Sequence, residues 1–224
     1  MFEIFVSILG KPAGIITFQL CVAMQFTIYL SLIAFLGGGL VAAIITILRI
    51  YPLAGLNALA SSYIWLFQSI PLLMLLFLSG LGIPRLFQVD IDPWFAATVS
   101  LVIFTSAYLA DVWRGAIENV AKGQWEAASA LKLDFILTFR LVILPQALRF
   151  ALAPTISFLV QIIKGTSLAY IIGFQDLMLL GKRWANAPVV GSEPFIVFPL
   201  MAVLYFSLCY PLALYARWLE KRIA

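Results

Sequence analysis

Apolar residues run along this chain in blocks of twenty or more, and its few charged residues fall in the gaps between them. Runs longer than about 18 residues suit a membrane-crossing helix rather than a buried strand. The pattern predicts spans at residues 17–48, 54–81, 94–117, 146–168 and 195–217. The first would extend about 45 Å at 1.5 Å per residue, longer than the hydrocarbon layer is thick, so it must tilt or overhang. The fold class expected is an all-α integral membrane protein of about five transmembrane helices.

Several boundaries carry their own chemistry. Asp92-Pro93 supplies a capping oxygen followed by a first-turn residue with no N–H to satisfy, so the third span should begin at Pro93. Pro71, Pro154, Pro199 and Pro211 lie inside apolar runs, where each frees a carbonyl and kinks its helix. Gly37-Gly38-Gly39 interrupts the first span and permits either close packing against a neighbour or a local bend. Asp111 and Arg114, at i and i+3, form an expected ion pair. The chain divides into a segment 1–16, a transmembrane domain 17–218 and a tail 219–224.

Composition sharpens this picture: 64% of residues are hydrophobic, 11% are charged and the net charge is +4. A soluble domain could not hide so much apolar surface, and the excess of positive charge belongs to loops rather than to a nucleic-acid surface. Placing the N-terminus outside puts Arg49, Arg114, Lys122, Lys132, Arg140, Arg149, Arg217, Lys221 and Arg222 inside, nine basic residues. Five, Lys11, Arg85, Lys164, Lys182 and Arg183, stay outside or within the bilayer. Because inward-facing loops carry the basic excess, the expected orientation is N-terminus out and C-terminus in, which needs an odd number of spans. There is no histidine, no phosphate-binding loop and no nucleophile elbow. The chain is therefore not expected to be an enzyme or to bind a metal, and Cys21 and Cys209 receive no chemical role.

The segment between the third and fourth spans holds the strongest signal. Helix formers after Gly123 predict a short surface helix of about two turns from near Gln124. Asp134 should cap a second that ends before Pro145. Two such helices across the spans form a knob, suited either to a cleft in another protein or to resting on lipid headgroups.

Glu126-Ala127-Ala128 followed by Val142-Ile143-Leu144-Pro145 resembles the EAA loop of binding-protein-dependent ABC importer permeases. Ser69-Ile70-Pro71-Leu72-Leu73, Ala107-Tyr108, Arg114-Gly115, Lys122-Gly123-Gln124, Leu144-Pro145-Gln146-Ala147 with Arg149, and Lys164 with Thr166-Ser167-Leu168 resemble the polar amino-acid subfamily. That subfamily comprises the histidine, glutamine, arginine and glutamate permeases. Lys132 stands where the family has glycine, Gln68 where an arginine precedes Ser-Ile-Pro, Ser157 for asparagine and Gly165 for aspartate. A non-glycine residue at Lys132 carries a steric cost if the turn needs positive φ.

The resemblance implies a type I importer permease fold in a bacterial inner membrane, forming half of a path for an amino acid. Its implied partners are an ABC ATPase dimer, a second permease, an extracytoplasmic amino-acid-binding protein and membrane lipid. The departures favour a paralogue over an identical copy as the second permease. ATP and magnesium would sit on the ATPase, so this chain binds no cofactor. Gly123, Glu126, Ala127, Ala128, Leu131, Lys132 and Pro145 become candidate coupling residues, with Ala128 at the joint. Polar groups stranded in spans are candidates for the path: Gln68, Gln161, Lys164, Thr166 and Ser167. Lys164 could meet a substrate carboxylate, pair with a carbonyl, or snorkel to headgroups. Gln68 and Gln161 could line the path or bond between helices, and Thr166 and Ser167 could bond their own backbone. A secondary transporter and a membrane anchor subunit are the competing functions. The missing internal repeat weighs against the first and stranded Lys164 against the second.

Overall fold

The computed structural model describes Lys11, residues 13–189 and residues 191–223, so most of the predicted segment 1–16 lies outside the described residues. Helix α1 runs over Ala13–Ile50, α2 over Ala54–Ser69 and α3 over Leu72–Phe87. Helix α4 is Pro93–Glu118, α5 Lys122–Ala130, α6 Phe135–Ile172, α7 Leu177–Ala185 and α8 Pro194–Ile223. Four of these, α1, α4, α6 and α8, are each long and apolar enough to cross a membrane, and the bent pair α2–α3 can make a fifth span.

Contacts along α4 show how the chain is threaded. Phe26 meets Trp94, Gly38 meets Thr105 and the Thr46 hydroxyl reaches the Ala110 carbonyl. Both helices advance together, so α1 and α4 are parallel and the chain must return between them. The return is made by α2–α3, which climbs α4 in the opposite sense. Tyr63 bonds Ser106 at 2.7 Å, and beyond the bend Ser79 bonds Ser100 at 2.6 Å and the Ala96 carbonyl at 3.2 Å. This steady advance makes the bent pair a broken crossing rather than a loop that turns back. Helix α6 runs antiparallel to α4, with Trp113 bonded to Thr155 and Trp94 packed on Phe174. Helix α8 is antiparallel to α6, with Cys209 against Val160 and Ile163. Five passes result, and the start of α1 and the end of α8 lie on opposite sides, here called the Pro93 end and the Arg49 end.

The packing explains the glycine run. A Cβ on Gly38 would lie 2.5 Å from Thr105 Cβ, and one on Gly37 would lie 3.1 Å from Val102. Helix α1 is continuous across the run, so the glycines serve close approach to α4 rather than a bend. Asp92 accepts from the Trp94 amide at 2.8 Å with Pro93 in the first turn, as its sequence predicts. Arg114 pairs with Asp111 at 2.9 Å and also with Glu118.

Two expectations are corrected. The second span does not merely kink at Pro71: its halves meet at 93°. Proline drives the preceding Ile70 into extended backbone, φ −94° and ψ 123°, and the helix stops outright. The second correction is at Pro145, before which no short helix ends. The helix begun at Phe135 passes through a π-helical stretch, Thr138–Ile143, and continues as the fourth crossing. The wider turn accommodates a proline that lacks the N–H of a regular turn, so the fourth helix starts eleven residues before the expected 146.

Candidate functional site

Helix α5 and the turn after it form a projection at the Arg49 end. Trp125 stacks over Phe135 with centroids 6.4 Å apart, Phe135 stacks on Phe139 at 6.4 Å, and Tyr51 meets Phe135 edge-on at 5.6 Å. Beneath them Ile117, Val120, Ile143 and Ala147 form a small core. Gln146 donates from Nε2 to the Gln124 side chain at 3.2 Å. The projection is thus wedged onto the starts of α2 and α6 and the end of α4, and a push on it is passed to the crossings rather than absorbed.

Its turn is a Schellman ending. The Leu133 amide donates to the Ala128 carbonyl at 3.1 Å and the Lys132 amide to Ser129 at 2.9 Å. This geometry requires a left-handed residue at position 132, and Lys132 adopts it with φ 56°. A lysine where glycine is expected has not changed the turn; it holds the same conformation at a cost of about 1–2 kcal/mol. Asp134 then caps the next helix, accepting from the Leu137 amide at 2.7 Å.

The surface of the projection differs from the expected one at one residue. Gly123, Glu126, Ala127 and Leu131 are exposed, whereas Ala128 is only 2% exposed. Ala128 lies on the inward side of α5, so it serves the projection's own packing and cannot be the outward contact at the joint. Leu131, 75% exposed, is the large apolar side chain the projection offers outward. Pro145 is exposed in the continuous helix, beyond the projecting turn.

The candidate path residues fall into two groups. Lys164 is exposed on α6 and borders a crevice of about 410 Å³ shared with Tyr205, Phe206, Cys209 and Tyr210 of α8. No acidic side chain among the described residues pairs with it. Gln161, one turn earlier on α6, is exposed as well. The hydroxyls of Thr166 and Ser167 are turned to their own helix, donating to Ile163 at 2.8 Å and Lys164 at 2.6 Å. Gln68 bonds between helices, donating weakly to the Ala107 carbonyl at 3.4 Å while its own carbonyl accepts from Tyr108. It is not gathered with Lys164.

The break in the second crossing supplies what the residue-by-residue reading missed. A Cβ on Gly165 would come 3.0 Å from Leu72, so the break and Lys164 share one level along the bundle. Ser69 and Pro71, flanking the break, are exposed. Irregular backbone within a bilayer is tolerated only where protein buries it or where it borders a water-filled cavity. The sequence signal was Ser-Ile-Pro in an apolar run, which announces a bend but not its size. Among the described residues no group of three His, Cys, Asp or Glu could hold a metal.

Residues 36–224 match the family model described as the binding-protein-dependent transport system inner membrane component. The chain is 33% identical over 202 residues, 89% of it and 86% of the relative, to the "Probable amino-acid ABC transporter permease protein YckA" of Bacillus subtilis (strain 168). It is 30% identical over 200 residues, 88% and 89% of the two chains, to the "Probable glutamine ABC transporter permease protein GlnM" of the same organism. Among solved structures, a chain from "Crystal structure of an amino acid ABC transporter with histidines" superposes with a TM-score of 0.83 at 27% identity. That likeness covers 91% of this chain and 93% of the other.

Proposed function

This chain belongs to the binding-protein-dependent transport system inner membrane components and is an ABC importer permease, and we propose that it forms half of the path by which a polar amino acid crosses a bacterial inner membrane. The observation that carries this is the projection of α5, wedged on an aromatic core at the roots of three crossings and offering Leu131 outward. Such a device converts motion of a partner into rigid movement of helices.

In this reading the Arg49 end faces the cytoplasm, where the basic residues of the projection lie, and the Pro93 end receives an amino-acid-binding protein. Two ATPase subunits dock on two projections, this chain's and that of a second permease, for which a paralogue is favoured over an identical copy. ATP and magnesium stay on the ATPases. Glu126, Ala127 and Leu131 make the contact, Gly123 lets the partner approach, Lys132 fixes the turn, Ala128 shapes the projection from within, and Pro145 follows the π-helical stretch at its base. Around the break, Lys164 and Gln161 face the substrate, with Lys164 suited to its carboxylate. Gln68, Thr166 and Ser167 hold the helices that carry them.

The test is ATP hydrolysis by the assembled permease–ATPase complex in nanodiscs, with and without binding protein loaded with its amino acid. Loaded binding protein should stimulate hydrolysis, and Leu131→Asp should remove most of the stimulation while leaving the purified permease folded. Equal stimulation of Leu131→Asp and wild type would contradict the role given to the projection.

A further inference from the structure

Asp176 is the fully buried acidic residue that the transport reading leaves unused. It precedes α7, and its side chain accepts from the Leu179 amide at 2.8 Å, capping that helix. The site is shared by three elements: the Leu177 amide donates to Thr27 of α1 at 3.3 Å, and Tyr205 of α8 brings its hydroxyl alongside. Helix α7 is clamped between the same two crossings further along, where Trp184 bonds Gln19 and Gly181 lies against Met201. Asp176 itself has no exposed surface, and its second oxygen, Oδ2, has no hydrogen-bond partner; nor does the Tyr205 hydroxyl.

The amides of Asp176, Met178 and Leu179 favour the carboxylate, but burial removes its water and no ion pair among the described residues offsets that loss, so burial outweighs them and holding the charge is costly. From α1 the facing group is Thr27 and from α8 Tyr205, with Cys209 one turn on. Lys164 of α6 lines a crevice together with Tyr205 and Cys209. On α7 itself Lys182 lies over the Tyr170 ring, and Arg183 stands near the exposed rim of the adjoining crevice. A metal cation is no better suited, since the first amides of α7 turn their positive ends toward the site. A proton neutralises the group and turns its orphaned oxygen into a donor, with Thr27 and Tyr205 as the neighbouring hydroxyls. A crevice of about 220 Å³, lined by Phe18, Gln19, Phe26, Gln175 and Arg183, reaches Asp176 and gives the proton a route.

We infer that Asp176 is a proton-binding site whose neutral carboxyl latches α7 onto α1 and α8 at the Pro93 end. Any opening of this end that wets the site releases the proton and with it the latch. That consequence for transport rests on the permease reading; the latch does not. Burial pushes the carboxyl from its usual 3.8 up to about 7. The folded protein therefore binds more protons than the unfolded chain between those values, and stability falls as pH rises through that window and then levels off.

The experiment compares wild type, Asp176→Asn and Asp176→Ala in the full-length protein, by thermal unfolding across pH and by infrared spectroscopy with 13C-labelled aspartate. None of the other aspartates, Asp90, Asp92, Asp111 and Asp134, is buried. Asparagine keeps the cap and a neutral donor, so its melting temperature should lose the downward slope with pH, whereas alanine should melt lower at every pH. Wild type should show a protonated-carboxyl stretch that disappears on raising the pH through neutrality. An asparagine variant with the wild-type pH slope, or a wild type with no such stretch below neutrality, would overturn the proposal. The infrared result on wild type decides the question even if both variants fail to fold. Because neither readout involves transport, failure here would leave the permease reading standing.

Discussion

Lys164 and Lys132 show two ways in which a lysine can be out of place. Lys132 stands in the left-handed conformation of a Schellman turn, and the surrounding hydrogen bonds hold it there. Position 132 was marked only through the resemblance, which expects glycine there; that a lysine would keep the left-handed turn was not legible, because the hydrogen bonds that hold it form only in the folded turn. Asp92 and Asp134 were legible for a local reason: a cap needs only its own next turn. Ala128 was not, since which face of a short helix turns inward depends on partners distant in the chain. Lys164 was legible as an anomaly, but its crevice with Tyr205, Phe206 and Tyr210 exists only once α8 folds back. For a charge with no acidic partner among the described residues, Lys164→Met should leave the protein folded and inserted, because the apolar stem is kept. Uptake should fall about ten- to a hundredfold, the worth of one charge-assisted contact. Lys164→Arg keeps the charge in a planar fork and should retain part of the activity. Uptake by Lys164→Met at the wild-type rate would remove Lys164 from the path.

Among the elements, the long apolar helices were readable from periodicity and length, while their interruptions were only half readable. Proline at 71 and proline at 145 send the same local message, yet one breaks a crossing at 93° and the other directly follows a π-helical stretch in a helix that continues. The difference comes from neighbours: Leu72 packs into the space left by Gly165, whereas the turn at Thr138–Ile143 is braced by the aromatic stack. The parallel course of α1 and α4 makes the broken pair a true crossing and the count odd. A cysteine at exposed Asn119 should then be labelled by an impermeant reagent from the cytoplasmic side alone, and one at exposed Val189 from the opposite side alone. Labelling of both from one side would contradict the count, and the reverse pattern would invert the orientation.

At the scale of the whole molecule, the bundle exposes large apolar side chains along α1 and α8, such as Leu36, Leu40, Val203 and Phe206, on surfaces that only lipid or another membrane chain can cover. In the proposed reading the other half of the path comes from a second permease subunit. The projection sits at one end, the broken crossing and Lys164 lie within the bundle, and the clamp of α7 closes the Pro93 end. The most direct measurement of that account is accumulation of labelled amino acid in vesicles containing the permease pair, its ATPases and binding protein. Accumulation should require ATP inside the compartment that represents the cytoplasm, stop when the ATPase is inactivated, and persist when ionophores abolish ion gradients. Accumulation that proceeds without ATP and collapses with the ion gradients would contradict it.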